Sequence, residues 1–260
     1  MTDALAISGL TAGYGRRVVV NRLDLAPVSP GTVLSLLGPN AAGKTTLLRA
    51  LAGLHPATGS VRLGERGLLS LSLADHARLV TYMPQSLPQR VALTVLEGVI
   101  GAMRASAPGG QLVPERDVAD RALSVIERVG IGHLAMTELS HLSGGQRQLA
   151  SLAQALVRQP RVLLLDEPIS ALDLYYQLRV MKLVRELAAE SRMIVVMVLH
   201  DLAIAVRWSD RVVLLADGRL IADGTPQDAI TAAALADVYK VAARVDITPD
   251  GVRIAIDDIL

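Results

Sequence analysis

The residues best suited to chemistry lie in a glycine-rich stretch near the N-terminus. Residues 38–46 read GPNAAGKTT and directly follow the apolar run Val33–Leu37. The spacing G-x-x-x-x-G-K-T lets successive backbone N–H groups converge on phosphate oxygens at the start of a helix. In such a loop Lys44 reaches the β- and γ-phosphates of a nucleotide, and the Thr45 hydroxyl ligates Mg²⁺. The stretch therefore predicts a phosphate-binding loop.

A pair of acidic residues follows a second apolar run. Residues 161–168 read RVLLLDEP, so Asp166 stands at the carboxyl end of a predicted buried strand and Glu167 comes next. An aspartate in that position can hold the hydration shell of Mg²⁺ beside a phosphate loop. Glu167 would then be close enough to polarise an attacking water as a general base. The pair predicts hydrolysis of a nucleoside triphosphate.

The stretch HLSGGQRQLA, residues 141–150, predicts a second anion site. Ser143 is a good N-cap, and the two glycines after it expose backbone N–H groups at the start of an apolar-faced helix. One nucleotide does not need two helix N-termini from distant parts of one chain on the same side. Two chains that face each other head-to-tail could clamp the nucleotide between them.

The elements that must position these residues alternate along the chain. Continuous apolar strands alternate with helices, which predicts a parallel sheet buried on both faces. The predicted strands are Val33–Leu37, 60–63, Val162–Leu165, Met193–Leu199 and Arg211–Ala216, and the predicted helices are 146–158, 174–190 and Leu202–Trp208. Residues 4–10 and 18–25 alternate between apolar and polar side chains and predict antiparallel strands at one edge. Residues 94–129 are helical in pattern, interrupted by the predicted surface loop ASAPGGQLVP.

Composition excludes several classes of protein. The chain has 260 residues and no cysteine, so disulfides, thiolate metal sites and cysteine nucleophiles are excluded. Its 26 basic and 25 acidic residues leave a net charge of +1, which does not favour nucleic acid as a partner. We recognise no signal peptide and no run near the ~20 apolar residues that span a bilayer, so we expect an intracellular chain.

Taken in order, the motifs resemble those of the ATP-binding cassette (ABC) family, whose signature is LSGGQ. Tyr14 in AGYG resembles the aromatic residue that stacks on adenine, and Gln85 in YMPQ resembles the glutamine of the Q-loop. The residues SALD at 170–173 resemble the D-loop, and His200 resembles the switch histidine that contacts the γ-phosphate. Six motifs thus follow the family's order over about residues 5–225.

The resemblance implies an α/β fold: a P-loop NTPase core with a mainly parallel sheet, an antiparallel β edge subdomain and an inserted α-helical signature subdomain. It implies a core of about 1–85 and 158–225, an insert of about 86–157 and an extension of 226–260.

The implied cofactors are ATP and Mg²⁺, and the implied catalytic residues are Glu167 and His200. The implied nucleotide contacts are Tyr14, Gly38, Pro39, Asn40, Ala41, Ala42, Gly43, Lys44, Thr45, Thr46, Gln85 and Asp166. The implied metal site comprises Thr45, Gln85 and Asp166. The residues implied to face the partner's ATP are Leu142, Ser143, Gly144, Gly145 and Gln146, and the D-loop is Ser170, Ala171, Leu172 and Asp173.

Among cassette proteins, this sequence is most similar to importers of metal chelates such as iron-siderophore complexes, haem and cobalamin. The similarity lies in residues 166–187, 198–226 and the tail 235–260. It implies separate membrane permease subunits, a substrate-binding protein, a head-to-tail homodimer on ATP binding and a place on the cytoplasmic face of the inner membrane. An importer of a metal ion or amino acid, or a soluble cassette ATPase of iron–sulfur cluster assembly, remains an alternative. The chain lacks the long heptad insertion of DNA-repair cassettes and the second cassette of translation ATPases.

Ala41 departs from the family, in which this loop commonly reads GPNGAGK. We expect an ordinary backbone conformation at Ala41, because the glycines at both ends of the loop remain. On that expectation the substitution Ala41→Gly changes the dissociation constant for ATP by less than about threefold.

Overall fold

Strands and helices alternate along the computed structural model, which describes residues 3–85, 92–105, 114–248 and 251–260. The strands are β1 (Leu5–Tyr14), β2 (Arg17–Val28), β3 (Val33–Leu37), β4 (Ala57–Leu63), β5 (Arg66–Gly67), β6 (Val80–Met83), β7 (Val162–Asp166), β8 (Ile194–Val198), β9 (Arg211–Ala216), β10 (Arg219–Gly224), β11 (Val241–Thr248) and β12 (Gly251–Ile259). The helices are α1 (Lys44–Leu51), α2 (Leu73–Leu79), α3 (Val95–Arg104), α4 (Glu115–Val129), α5 (Gly144–Leu156), α6 (Leu174–Ser191), α7 (Leu202–Trp208), α8 (Pro226–Ala229) and α9 (Ala232–Tyr239). Short 3-10 turns lie at Leu68–Ser70, Gly132–Leu134 and Leu139–His141.

The central sheet confirms the predicted parallel architecture. Its strand order is β10-β9-β3-β8-β7-β6, and every pair is parallel except β9 with β10. Strands β3, β7 and β8 are buried at all five positions, as expected for parallel strands covered on both faces. Because parallel strands end at the same edge, the segments that follow β3, β7 and β8 meet there.

Two apolar cores cover the two faces of this sheet. Successive residues of a strand point to opposite faces of the sheet, so each strand contributes to both cores. On β3, Leu34 and Leu36 pack with α1 and the antiparallel sheet, whereas Val33 and Leu37 pack with the helices of the other face. The phosphate-loop helix α1 is therefore held between two sheets.

An antiparallel sheet of order β2-β1-β4-β5 forms the edge subdomain. The strands β1 and β2 run beyond the predicted segments 4–10 and 18–25 and pair from Leu5 with Val28 to Tyr14 with Arg17. Strand β4 also pairs with β1 and begins three residues before the predicted start. The predicted antiparallel strands are thus confirmed and longer than predicted.

Helices α3, α4 and α5 form the helical segment between β6 and β7. Helix α3 begins with a capping box, in which the Thr94 hydroxyl accepts from the N–H of Glu97 and the Glu97 carboxylate accepts from the N–H of Thr94. Helix α4 ends at Gly130, which has φ of 95°. Within the predicted surface loop, residues 106–113 lie outside the described residues. In the described part of the chain, no helix has the length and apolar character needed to cross a membrane.

The C-terminal residues add elements that the sequence analysis did not predict. Strand β10 pairs with β9 at the sheet edge, and β11 and β12 form an antiparallel hairpin. The inner face of the hairpin, with Val245 and Ile254, packs against the core of the helical face. On its exposed face, Arg244 is paired with Asp257.

Helix α7 ends in the chain's single tryptophan, Trp208. The guanidinium carbon of Arg207 lies 5.9 Å from the centroid of the indole ring. The indole Nε1 is buried and has no hydrogen-bond partner among the described residues. His200 directly precedes Asp201, the N-cap of α7. The indole at the other end of this helix is therefore two helical turns away from His200 along the chain.

Candidate functional site

The phosphate loop connects β3 to α1 as the sequence predicts. Lys44 begins α1, is only 6% exposed, and its Nζ donates to the carbonyl oxygens of Gly38 at 2.7 Å and Pro39 at 2.8 Å. Burial lowers the pKa of Lys44, and the nearby charges of Glu167 and Asp166 oppose that shift. A side chain at Gly38 would place its Cβ against the carbonyl oxygen of Leu215, so that only glycine fits there. The loop thus wraps around the ammonium group.

The predicted backbone conformation of Ala41 is wrong, because its φ is +64°. The N–H of Ala42 donates to the carbonyl oxygen of Pro39 at 3.3 Å, which closes a four-residue turn. Ala41 is the third residue of this turn, where a positive φ is characteristic of type II turns and favours glycine. The glycine that the family commonly has at this position therefore has a conformational reason, and Ala41 is strained.

We expect Ala41→Gly to stabilise the fold. Glycine removes roughly 1–2 kcal/mol of backbone strain and restores about 0.4–1 kcal/mol of unfolded-state entropy, so the free energy of unfolding should rise by up to about 1.6 kcal/mol. Urea denaturation measures this change. The matched control is Ala105→Gly, at an exposed helix end with φ of −65°, where glycine should be destabilising. Equal losses of stability in both variants would contradict the strain at Ala41.

Asp166 and Thr45 bring oxygen atoms together at the end of β7 and the start of α1. Asp166 is 1% exposed, and its carboxylate accepts from the Thr45 hydroxyl at 3.1 Å and from the Tyr82 hydroxyl at 2.9 Å. Burial raises the pKa of Asp166, while both hydrogen bonds act against the shift. Hydroxyl and carboxylate oxygens are the ligands that Mg²⁺ prefers beside nucleotide phosphates, so this pair fits a nucleotide-bound Mg²⁺.

Glu167 is held by two side chains from distant parts of the chain. Its Oε1 lies 2.7 Å from Nε2 of His200, and its Oε2 accepts from Nε2 of Gln85 at 2.7 Å. Its own backbone has φ of +54°, an uncommon conformation for a residue other than glycine. A cavity of about 240 Å³ opens beside Glu167 and His200. The structure thus brings two other predicted residues, Gln85 and His200, to the Glu167 carboxylate, so Gln85, predicted for the metal site, is hydrogen-bonded to Glu167 here.

The signature residues lie at the start of α5, where Ser143 and Gln146 form a capping box. The Ser143 hydroxyl accepts from the N–H of Gln146 at 3.3 Å, and Gln146 Oε1 accepts from the N–H of Ser143 at 2.9 Å. A cavity of about 420 Å³ lies beside them, and its lining residues fall within the ranges 131–134, 143–149 and 171–176. The structure therefore brings the signature and the D-loop together, at a site separate from the phosphate loop.

Two further predicted positions have clear local surroundings. Tyr14 ends β1 with half its surface exposed, and its ring centroid lies 4.5 Å from that of His55. An exposed aromatic ring can stack on a nucleobase. Asp173, the last residue of the D-loop, caps α6, since its carboxylate accepts from the N–H of Tyr176 at 3.0 Å.

The sequence analysis missed two residues that hold the site together. Tyr82, on β6, donates to Asp166, and burial raises the pKa of Tyr82 to about 12. Gln148, on α5, donates to the backbone carbonyl of Glu167. The signal for Tyr82 is a tyrosine in the short strand that ends just before Pro84, and the signal for Gln148 is a glutamine on the buried face of α5.

Comparisons with known proteins agree with this geometry. The model of the ABC transporter family matches residues 21–170. The hemin import ATP-binding protein HmuV of Bordetella avium is 37% identical over 249 residues, which are 93% of this chain and 94% of that protein. The petrobactin import ATP-binding protein FpuD of Bacillus anthracis is 32% identical over 250 residues, which are 96% and 91% of the two chains.

Solved structures are similar over most of the chain. A metal-chelate type ABC transporter in an inward-facing conformation matches with a TM-score of 0.79 and 26% identity over 99% of this chain and 98% of that one. The cassette MJ0796, in a dimeric post-hydrolysis state bound to ADP and Pi, matches with a TM-score of 0.77 and 25% identity over 85% and 98%. On the family match and the identity to these relatives, the chain belongs to the ABC transporter family as one of its ATP-binding ATPase subunits.

Proposed function

We propose that this ATPase subunit drives a membrane importer of iron-siderophore complexes, haem or related metal chelates. The observation that carries the ATPase part is the Glu167 carboxylate held between His200 and Gln85, next to the Asp166–Thr45 pair. This arrangement places a candidate base at the edge of the sheet where the phosphate loop begins. The chelate part rests on the relatives, which are named for import of hemin and petrobactin, and on the metal-chelate type structure.

In the proposed mechanism, the loop N–H groups and Lys44 bind the β- and γ-phosphates of ATP. Thr45 and Asp166 would hold Mg²⁺, which would supply positive charge to the phosphates, and Gln85 would be a further oxygen ligand. Glu167 accepts a proton from the attacking water. The remaining contacts follow the predicted set, with Tyr14 at the adenine and the other loop residues at the phosphates.

His200 is the proposed partner of both Glu167 and the γ-phosphate. Its Nε2 lies within hydrogen-bond distance of the Glu167 carboxylate, and its side chain remains 45% exposed. A histidine in that place can orient the carboxylate and can donate a hydrogen bond to phosphate once ATP is bound. We therefore place His200 in the catalytic group with Glu167.

The signature is proposed to act on the ATP of a second copy. Ser143 and the backbone N–H groups after it face a cavity that the phosphate loop does not line, so they have room for the partner's nucleotide. The dimeric state of the MJ0796 cassette supports a homodimer, and we propose that its two chains face each other head-to-tail on ATP binding. Each site would then combine the loop of one chain with residues 142–146 of the other.

The domain organisation that we propose for this function has two lobes and a short C-terminal extension. The ATP core takes about 1–85 and 158–225, the helical insert about 86–157, and the extension 226–260. We propose that the insert contacts separate permease subunits, that a substrate-binding protein delivers the cargo, and that the chain sits peripherally on the cytoplasmic face of the inner membrane. We propose no nucleic acid partner, because the near-zero net charge does not favour binding to nucleic acid.

Co-expression with the permease tests the transport proposal. We expect the chain to move to the membrane fraction, to hydrolyse ATP faster there, and to support uptake of radiolabelled ferric siderophore or hemin. The control Lys44→Ala should be recruited equally and support no uptake. Uptake of a free metal ion or an amino acid instead would assign another importer class. Fractionation only with a soluble iron–sulfur scaffold would overturn the importer proposal.

A further inference from the structure

The side chain of Gln148 connects the signature helix to the backbone of the proposed base. Gln148 lies on the second turn of α5 and is 7% exposed. Its Nε2 donates to the carbonyl oxygen of Glu167 at 2.5 Å, and its Oε1 accepts from the N–H of Ala171 at 3.1 Å. Both the nitrogen and the oxygen of this buried amide therefore form hydrogen bonds with the backbone of the segment that begins at Glu167.

The carbonyl that Gln148 contacts belongs to a strained peptide. Glu167 has φ of +54°, and such a conformation persists only where surrounding contacts hold it. The same carbonyl oxygen accepts from the Ser170 hydroxyl at 3.2 Å and from the Ser170 N–H at 3.4 Å. The bond from Gln148 is the shortest of the three and the one that comes from outside the loop.

The start of α5 also packs directly on this loop. A Cβ added at Gly145 would lie 2.9 Å from the carbonyl oxygen of Ala171, so the helix backbone and the loop are in close contact. Gln148 lies one turn further along the same helix, on the same side. Helix α5 therefore contacts the segment 167–171 at two positions one helical turn apart, through the backbone of Gly145 and through the side chain of Gln148.

We infer that Gln148 is a positioning residue for hydrolysis, which orients the Glu167 peptide and fixes it to the signature helix. The inference rests on the proposed function, in which Glu167 serves the chain's own ATP and Ser143 serves the partner's. Gln148 lines neither of the two cavities beside these half-sites. Through it, a displacement of the signature helix would move Glu167, so the two half-sites of one chain move together.

The test compares Gln148→Met and Gln148→Glu with the wild-type chain. Methionine keeps the length of the side chain and removes both hydrogen bonds, while glutamate keeps the acceptor for Ala171 and loses the donor for Glu167 when ionised. We expect kcat to fall by about tenfold to a hundredfold in both, because small misplacements of a catalytic group have effects of this size. The dissociation constant for ATP should change less than about threefold.

The matched control is Gln154→Met, a half-buried glutamine on the same helix that faces α3 near Gly98. It should keep wild-type kcat. Circular dichroism and thermal melting check that each variant is folded. A fall in ATP binding that equals the fall in kcat would show a general structural role and overturn the inference, as would wild-type kcat in Gln148→Met.

A double-mutant cycle with Glu167→Gln tests the route of the effect. If Gln148 acts through Glu167, then adding Gln148→Met to Glu167→Gln should lower hydrolysis no further. Additive losses would overturn the inference. Wild-type activity in Gln148→Met with a strong loss in Glu167→Gln would reject the inference and leave the proposed function intact. Wild-type activity in both variants would reject the two together.

Discussion

Glu167→Gln should bind ATP normally, hydrolyse it about 10²–10⁴-fold more slowly and accumulate as a closed dimer. The amide has the shape of the carboxylate and keeps room between His200 and Gln85, but it cannot accept a proton from water. Single-turnover release of phosphate measures the rate, and a fluorescent nucleotide measures binding. Size-exclusion chromatography with ATP reports the dimer.

The control for this variant is Glu186→Gln on α6. Glu186 forms an exposed pair with Lys182 at 3.8 Å, away from the nucleotide site, so the same chemical change there should leave hydrolysis unchanged. Wild-type turnover in Glu167→Gln would remove Glu167 from the role of base.

Ser143→Arg should abolish hydrolysis in its homodimer, and so should Lys44→Ala. The arginine blocks the helix N-terminus that serves the partner's ATP, and the alanine removes the ammonium that the loop surrounds. A mixture of the two variants should regain activity, since one site of each heterodimer combines an intact Lys44 with an intact Ser143. If assembly is random and the sites act independently, the mixture reaches about a quarter of wild-type activity.

Loss of the helix cap could by itself lower the activity of Ser143→Arg, because an N-cap contributes about 0.5–2 kcal/mol. Ser72→Arg controls for this. Ser72 caps α2 by accepting from the N–H of Asp75 at 3.2 Å, outside the nucleotide site. The Ser72→Arg variant should be less stable than the wild-type chain and should hydrolyse ATP at the wild-type rate. Full activity in the Ser143→Arg homodimer would contradict the head-to-tail arrangement.

The sequence analysis correctly predicted the bounds of those strands and helices that are determined by their own and adjacent residues. The strands Val33–Leu37 and Arg211–Ala216 and the helix Leu202–Trp208 have the predicted bounds. Each is an apolar run or an apolar face that ends at a glycine, an aspartate or a serine, so the boundary is local. The phosphate loop and the acidic pair were found for the same reason, because their chemistry is carried by adjacent residues.

The structural features that the sequence analysis did not predict depend on contacts between different parts of the chain. The φ of Ala41 follows from a turn closed by Pro39 and Ala42 and not from the residue type. Tyr82 and Asp166 are 84 positions apart, and they meet because β6 and β7 are neighbours. The hairpin of β11 and β12 has too little apolar surface to fold alone and depends on the helices beneath it.

The single tryptophan makes the protein its own optical reporter. With no phenylalanine and five tyrosines, excitation at the red edge of the spectrum selects Trp208 alone, and any change in its emission comes from one place. That place is the end of the helix that follows His200, under the Arg207 guanidinium, where a cation close to the indole tunes its fluorescence. Motion of the helix that follows His200 can therefore be followed in the unlabelled wild-type chain, in real time and without a dye.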